Sequence, residues 1–205
     1  TLYLSTSITY TLRHMQSIPL EAVYVKSING TDDIIKDNKP KVTFLGRSNV
    51  GKSSLINSLV GKQLARSSSR PGKTVKLDFF LVQHRIFFVD LPGYGFAKRS
   101  REALEHYRKL IAWYLFRSEV NHKLAVLIMD AKVGLTDYDR ESINLLTDNN
   151  IPFIIVANKV DKLSMSERHT QIKKIQEDCS DHPVIIYSSK TLEGKDELVR
   201  LIMEK

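Results

Sequence analysis

The sequence predicts an α/β three-layer sandwich: a mostly parallel sheet with one antiparallel strand and helices on both faces. Two observations predict it. From Lys41 onward short apolar runs alternate with amphipathic stretches, and one pair of runs is separated by only two residues, Gln83-His84. A third observation sets the number of units. The 205 residues contain no internal repeat and no linker rich in Pro, Gly or Ser, so 15–205 is expected to form a single domain.

Each element has its own signal. Val42–Leu45 is a short apolar run of the length of a strand buried on both faces, and Ser53–Leu59 after it reads as a helix. Leu77–Val82 and Arg85–Val89 flank Gln83-His84 as an antiparallel hairpin, although Gln-His is not a favoured turn pair. Arg101–Ser118 places Leu104, Leu110, Ile111, Tyr114 and Leu115 near one helical face. Ala125–Met129, Phe153–Ala157 and Val184–Tyr187 repeat the buried-strand signal. Ser164 followed by Glu167 is a capping box opening a helix towards Cys179, and Lys195–Glu204 carries Leu198, Leu201 and Ile202 on one stripe.

Composition narrows the function classes. Hydrophobic content of 42% and charged content of 26% exclude collagen-like, low-complexity and disulfide-scaffold chains. A lone cysteine, Cys179, forms no internal disulfide, which fits a reducing cytoplasm. No apolar run approaches the roughly 20 residues that cross a bilayer. Thr1–His14 lacks the pattern of a secretory signal, and His14-Met15 reads as a cloning junction with Met15 as the natural start. A formal charge of +8 favours polyanionic partners. The histidines show no metal-ligand spacing and there is no H-E-x-x-H.

Gly46-Arg47-Ser48-Asn49-Val50-Gly51-Lys52-Ser53 matches the phosphate-loop pattern G-x-x-x-x-G-K-[ST], between a strand and a helix as the motif requires. Glycines let successive backbone N–H groups converge on phosphate oxygens, and the helix N-terminus adds partial positive charge. Lys52 would bridge the β- and γ-phosphates, and the Ser53 hydroxyl would bind Mg²⁺. Asn158-Lys159-Val160-Asp161 follows a later strand. A carboxylate at Asp161 accepts from both N1–H and the exocyclic amine of guanine. Adenine offers it a lone pair instead, a mismatch worth roughly 10⁴–10⁵ in discrimination. Asn158 would brace the loop, and the Lys159 stem would cover one ring face. Ser188-Ser189-Lys190, just after the strand that ends at Tyr187, would present backbone N–H groups to the guanine oxygen, with Tyr187, Ser188 and Ser189 counted among the binding residues. Asp90-Leu91-Pro92-Gly93 follows the hairpin, with Asp90 holding Mg²⁺ and the Gly93 amide reaching the γ-phosphate. Arg70-Pro71-Gly72-Lys73-Thr74 closes a Ser-rich stretch that reads as a switch loop, with Thr74 the second protein ligand of Mg²⁺.

In this order, the motifs resemble those of translation-factor-class GTPases. GRSNVGKS over Gly46–Ser53, RPGKT over Arg70–Thr74 and DLPGYGFA over Asp90–Ala97 are similar to the EngB family of bacterial GTPases, from about Met15 onward. The resemblance implies a Ras-like P-loop GTPase fold, GTP and GDP with Mg²⁺ as ligands, the large ribosomal subunit as partner, a role in its assembly and in cell division, and a cytoplasmic, monomeric protein. Ras-like enzymes position the attacking water with a glutamine directly after D-x-x-G; here that residue is Tyr94, so slow intrinsic hydrolysis is expected. Asn49 either holds K⁺ or only braces the loop. Two other functions stay open at this point: a GTP-gated binding module with negligible hydrolysis, and an ATP-dependent kinase or ATPase, which Asp161 opposes.

Overall fold

The computed structural model describes residues 19–65, 76–94, 101–179 and 182–204. Thr1–His14, Arg70–Thr74 and Gly95-Phe96-Ala97 lie outside the described residues. Strand β1 (Ala22–Ile28) and the short helix α1 (Asp33–Lys36) precede β2 (Lys41–Gly46), helix α2 (Lys52–Val60), β3 (Leu77–Val82) and β4 (Ile86–Asp90). Helix α3 (Arg101–Ala112), strand β5 (His122–Asp130), helix α4 (Asp137–Asp148) and β6 (Phe153–Asn158) come next. Helix α5 (Met165–Asp178), β7 (Val184–Ile186) and helix α6 (Lys195–Met203) complete the order.

The strands form one seven-stranded sheet in the order β1-β3-β4-β2-β5-β6-β7. β3 runs antiparallel to both of its neighbours and every other pairing is parallel, so β3 is the one antiparallel strand. Buried runs point alternately to the two faces, as period-2 geometry demands. Val126 and Ile128 of β5 pack with Leu55, Ile56 and Leu59 of α2 and Leu198 and Ile202 of α6. Ala125, Leu127 and Met129 pack on the other face with Leu110 of α3, Ile143 and Leu146 of α4 and Ile175 of α5. The expected three layers are therefore present.

The structure departs from the sequence reading in four elements, one of them the four-residue α1, too short to show a helical period. β1 was not expected, because an edge strand with Val23, Tyr24 and Val25 all exposed shows neither a buried run nor alternation. α4 was not expected either, since only Asp139, Ile143 and Leu146 are buried on it. The helix expected over Arg101–Ser118 stops as α-helix at Ala112 and widens into a π-helical turn, Trp113–Arg117. That turn sets the consecutive Tyr114 and Leu115 both in the core and ends where Ser118 N–H donates to the Trp113 carbonyl at 2.8 Å. The hairpin forms, but its connection is one residue longer than expected: Val82 pairs with Ile86, leaving Gln83, His84 and Arg85 between the strands, with Gln83 and His84 left-handed at φ 51° and 54°.

Candidate nucleotide-binding site

The site lies where parallel strands β2, β4, β5 and β6 end, in Gly46, Asp90, Asp130 and Asn158. Open α/β sheets bind ligands at this carboxyl edge. From Gly46 the loop curls into α2, whose first residue is Lys52, with Asn49 (φ 68°) and Gly51 (φ 95°) in left-handed backbone. Such a turn directs consecutive amides inward as an anion cradle. Gly51 must be glycine on a second ground as well: a Cβ there would overlap Asn158 Nδ2.

Lys52 Nζ bonds Asp90 Oδ1, and the Ser53 hydroxyl also bonds Asp90. Burial pushes the Asp90 carboxyl above the ordinary carboxylate range, and the Lys52 charge opposes that shift. The charge of Asp78, its cross-strand partner on β3, pushes it further up. The hydroxyl and carboxylate side by side are hard oxygen donors of the kind Mg²⁺ takes, with phosphate oxygens completing its shell. Among the described residues no three His, Cys, Asp or Glu gather to hold a metal by themselves. Gly72, Lys73 and Thr74 lie outside the described residues.

The guanine motif locks onto the phosphate loop. Asn158 Nδ2 donates to the Val50 carbonyl at 3.0 Å, while its Oδ1 accepts from Ser189 N–H at 3.3 Å and Oγ at 3.2 Å. Lys159, left-handed at φ 69°, donates to the Asn49 carbonyl and, at 2.8 Å, to Asp130 Oδ2. Ser188 is fully buried and its hydroxyl donates to Asp161 Oδ1 at 2.7 Å. That hydroxyl also accepts from Lys190 and Thr191 N–H at 3.2 and 3.1 Å, which fixes the orientation of the carboxylate.

Some predicted residues sit nearby by backbone alone. Val160 and Leu91 are buried in the core. The Tyr187 ring is also buried, with its hydroxyl 2.8 Å from Ser58 Oγ on α2. Its main chain joins the guanine loop by accepting from Val160 N–H at 3.3 Å. Pro92 and Gly93 run beside the phosphate loop, and a Cβ on Gly93 would lie 3.0 Å from Ser48 Cα. Arg47 pairs with Tyr94 as a parallel bridge. The Asn49 carbonyl accepts from Lys159 Nζ, which ties it to the guanine motif.

Two acids at the site were missed from sequence. Asp130 ends β5 opposite Asn158 of β6, and an acid closing a buried strand next to a motif-bearing strand is the signal that could have found it. Asp139 accepts from Tyr94 Oη across 2.7 Å, a contact between distant elements with no local signature.

Comparison with known proteins agrees with this geometry. A family described as "50S ribosome-binding GTPase" matches residues 41–159, and one described as "Elongation factor Tu GTP binding domain" matches 116–205. "Probable GTP-binding protein EngB" of Aquifex aeolicus is 40% identical over 164 residues, covering 80% of this chain and 90% of the relative. The crystal structure of a probable GTP-binding protein engB superimposes with a TM-score of 0.64 at 30% identity, over 80% of this chain and 97% of that one. A single-residue variant of Aquifex aeolicus Era, bound to GDP·AlF4⁻, gives a TM-score of 0.63 at 26% identity, over 80% of this chain and 56% of that one. Likeness in sequence and in the sheet that carries the motifs thus runs over most of the chain, and the chain belongs to the EngB family of GTP-binding P-loop GTPases.

Proposed function

We propose that this protein is a GTP-driven switch in assembly of the large ribosomal subunit, hydrolysing GTP slowly to GDP and phosphate. One observation carries the guanine-specific part: the Asp161 carboxylate is oriented by the buried Ser188 hydroxyl, in a loop that Asn158 ties to the phosphate loop. A carboxylate held in this way accepts two guanine hydrogens at once and repels the adenine edge. The ribosomal part is supported by the family description and by the +8 charge, which suits a phosphate-rich partner.

In this reading the backbone of Gly46–Ser53 cradles the phosphates and Lys52 leaves Asp90 to meet the β- and γ-oxygens. Ser53, Thr74 and Asp90 would hold Mg²⁺, which neutralises charge on the terminal phosphate when bound. The Gly93 amide would stabilise the γ-phosphate, with the backbone of Leu91 and Pro92 placing it, and Gly72-Lys73-Thr74 would close on the nucleotide. Asn158, Lys159, Val160, Asp161, Tyr187, Ser188 and Ser189 would enclose the base. Tyr94 carries no amide side chain to orient water, so hydrolysis rests on charge neutralisation alone and is slow without a partner.

Calorimetry with Mg²⁺ and GDP or GTP tests the nucleotide assignment: heat is expected for both, Lys52→Ala abolishes triphosphate binding, and Asp161→Asn turns preference towards xanthine nucleotides. Unaltered base preference in Asp161→Asn would overturn the assignment. Tyr94, with its hydroxyl engaged by Asp139, also favours a second reading, a GTP-gated binding module with negligible hydrolysis. Phosphate release under saturating GTP, with and without large subunits, separates the two.

A further inference from the structure

Tyr94 occupies the position where a water-orienting glutamine would stand, yet its side chain is committed elsewhere. Its hydroxyl donates to Asp139 Oδ1 at 2.7 Å, and its ring lies tilted against Tyr138, 6.4 Å between centroids. Asp139 is a rigid acceptor. It is 1% exposed, and its other oxygen takes Thr136 N–H at 3.0 Å and Thr136 Oγ1 at 2.6 Å, at the first turn of α4.

The backbone of the same residue lies on the phosphate loop. The Tyr94 carbonyl accepts from Ser48 N–H at 2.8 Å and from Ser48 Oγ at 3.1 Å, and Tyr94 N–H donates to the Gly46 carbonyl at 3.3 Å. Gly93 is packed directly on Ser48. An amide already paired with a carbonyl has no strong bond left for a phosphate oxygen. The loop is thus satisfied from within: Ser48 by Tyr94, and Lys52 by Asp90.

We propose that the Tyr94–Asp139 bond is a latch that keeps the end of the D-x-x-G segment on the phosphate loop, so that Tyr94 and Asp139 are positioning residues setting the preference between nucleoside diphosphate and triphosphate. The inference rests on the GTP-switch reading above. The terminal phosphate is the group that the D-x-x-G segment must move to accommodate, so the latch opposes GTP more than GDP. A ligand shifts a two-state element only by its differential affinity, and weakening the latch raises apparent affinity for the ligand that needs it open.

Calorimetry on the full chain with Mg²⁺, using GDP and a non-hydrolysable GTP analogue, tests the latch in Tyr94→Phe and Asp139→Asn. Tyr94→Phe keeps the ring and leaves the Thr136–Asp139 contacts intact, so it remains informative if Asp139→Asn disturbs α4. Loss of one hydrogen bond to a charged acceptor is expected to tighten the analogue by about five- to tenfold, with GDP moved less than about twofold. An unchanged ratio of the two affinities, or a shift towards GDP, overturns the latch while wild-type binding of both nucleotides leaves the GTP reading standing. Wild-type protein that binds neither nucleotide sinks both.

Discussion

Asp130 shows how a side chain outside every recognised motif can govern one inside it. Lys159 is half-buried, and Asp130 at 2.8 Å and the Asn49 carbonyl hold its ammonium in the place that the proposed cover over the base requires. An amide at this position would carry no charge and only one accepting oxygen, where the two carboxylate oxygens now serve Lys132 N–H and Lys159 Nζ separately. Asp130→Asn is expected to weaken guanine-nucleotide binding about five- to tenfold, measured as Kd by calorimetry, with the thermal transition moved little. Gly51 is governed by space instead. Its φ of 95° and the overlap a Cβ would make with Asn158 Nδ2 mean that Gly51→Ala must break the Asn158–Val50 bond. Nucleotide affinity should fall about tenfold, because the same shift removes one of the ties between the guanine loop and the phosphate loop and leaves the Val50 carbonyl without it. Residues such as Lys52, Asp90 and Asp161 were legible in the sequence because their motifs are contiguous and their chemistry is local. Asp130 and Asp139 were not, because each acts on a partner from another element, a pairing that only the strand order and the packing of α4 create.

Elements were legible where burial was two-sided. β5 and β6 hold continuous apolar runs, and β2 one broken only by the buried Thr43, because helices cover both faces, and such runs read as strands without any alternation. β1 has one partner strand and a largely exposed face, so it left no such run. The β3–β4 hairpin is the reverse case: its strands were plain and its turn was not. Val82 pairs with Ile86, so the connection is Gln83-His84-Arg85; Gln83 and His84 both adopt left-handed backbone, and neither is a residue that takes it readily. Each such residue costs about 1 kcal/mol. The sheet tolerates this because Phe79, Phe80, Phe88 and Val89 are fully or nearly fully buried on the adjoining strands. The double variant Gln83→Asn with His84→Gly is expected to raise the free energy of unfolding by about 1–2 kcal/mol in urea titrations. The exposed His84–Glu21 contact at 3.5 Å that it removes contributes little.

At the scale of the whole molecule, the polar chemistry divides between the two edges of the sheet. The carboxyl ends of β2, β4, β5 and β6 carry the nucleotide site, while the opposite edge holds a small buried polar group built on Lys41 and His122, paired across β2 and β5. Lys41 is fully buried, with Nζ on the Asp37 carbonyl and 5.7 Å from the Phe87 ring centre. The His122 ring stands edge-on to Tyr114 at 5.4 Å, and among the described residues neither of its buried nitrogens has a hydrogen bond of normal geometry. Desolvation pulls the His122 pKa down to about 4; the backbone of Tyr114 and Leu115 opposes the shift and the Lys41 charge adds to it. In the unfolded chain the same imidazole titrates near 6.5. Between these values the unfolded chain binds a proton that the folded chain refuses, so the stability this neutral histidine contributes is full above about pH 6.5 and is lost as pH falls through 4. The loss approaches about 3 kcal/mol. Among the carboxylates whose pKa is lowered, Asp32 and Asp37 start from 3.8 and the exposed Glu105 and Glu167 from 4.5, while burial raises that of Asp90, which acts in the opposite sense; all five are common to the native chain and a His122 variant, so a comparison of the two isolates the histidine. Urea unfolding at about pH 7 and about pH 4.5 should therefore show a drop larger by about 2–3 kcal/mol in the native chain than in His122→Asn. Equal drops in the two proteins would place the acid sensitivity elsewhere than at this edge of the sheet.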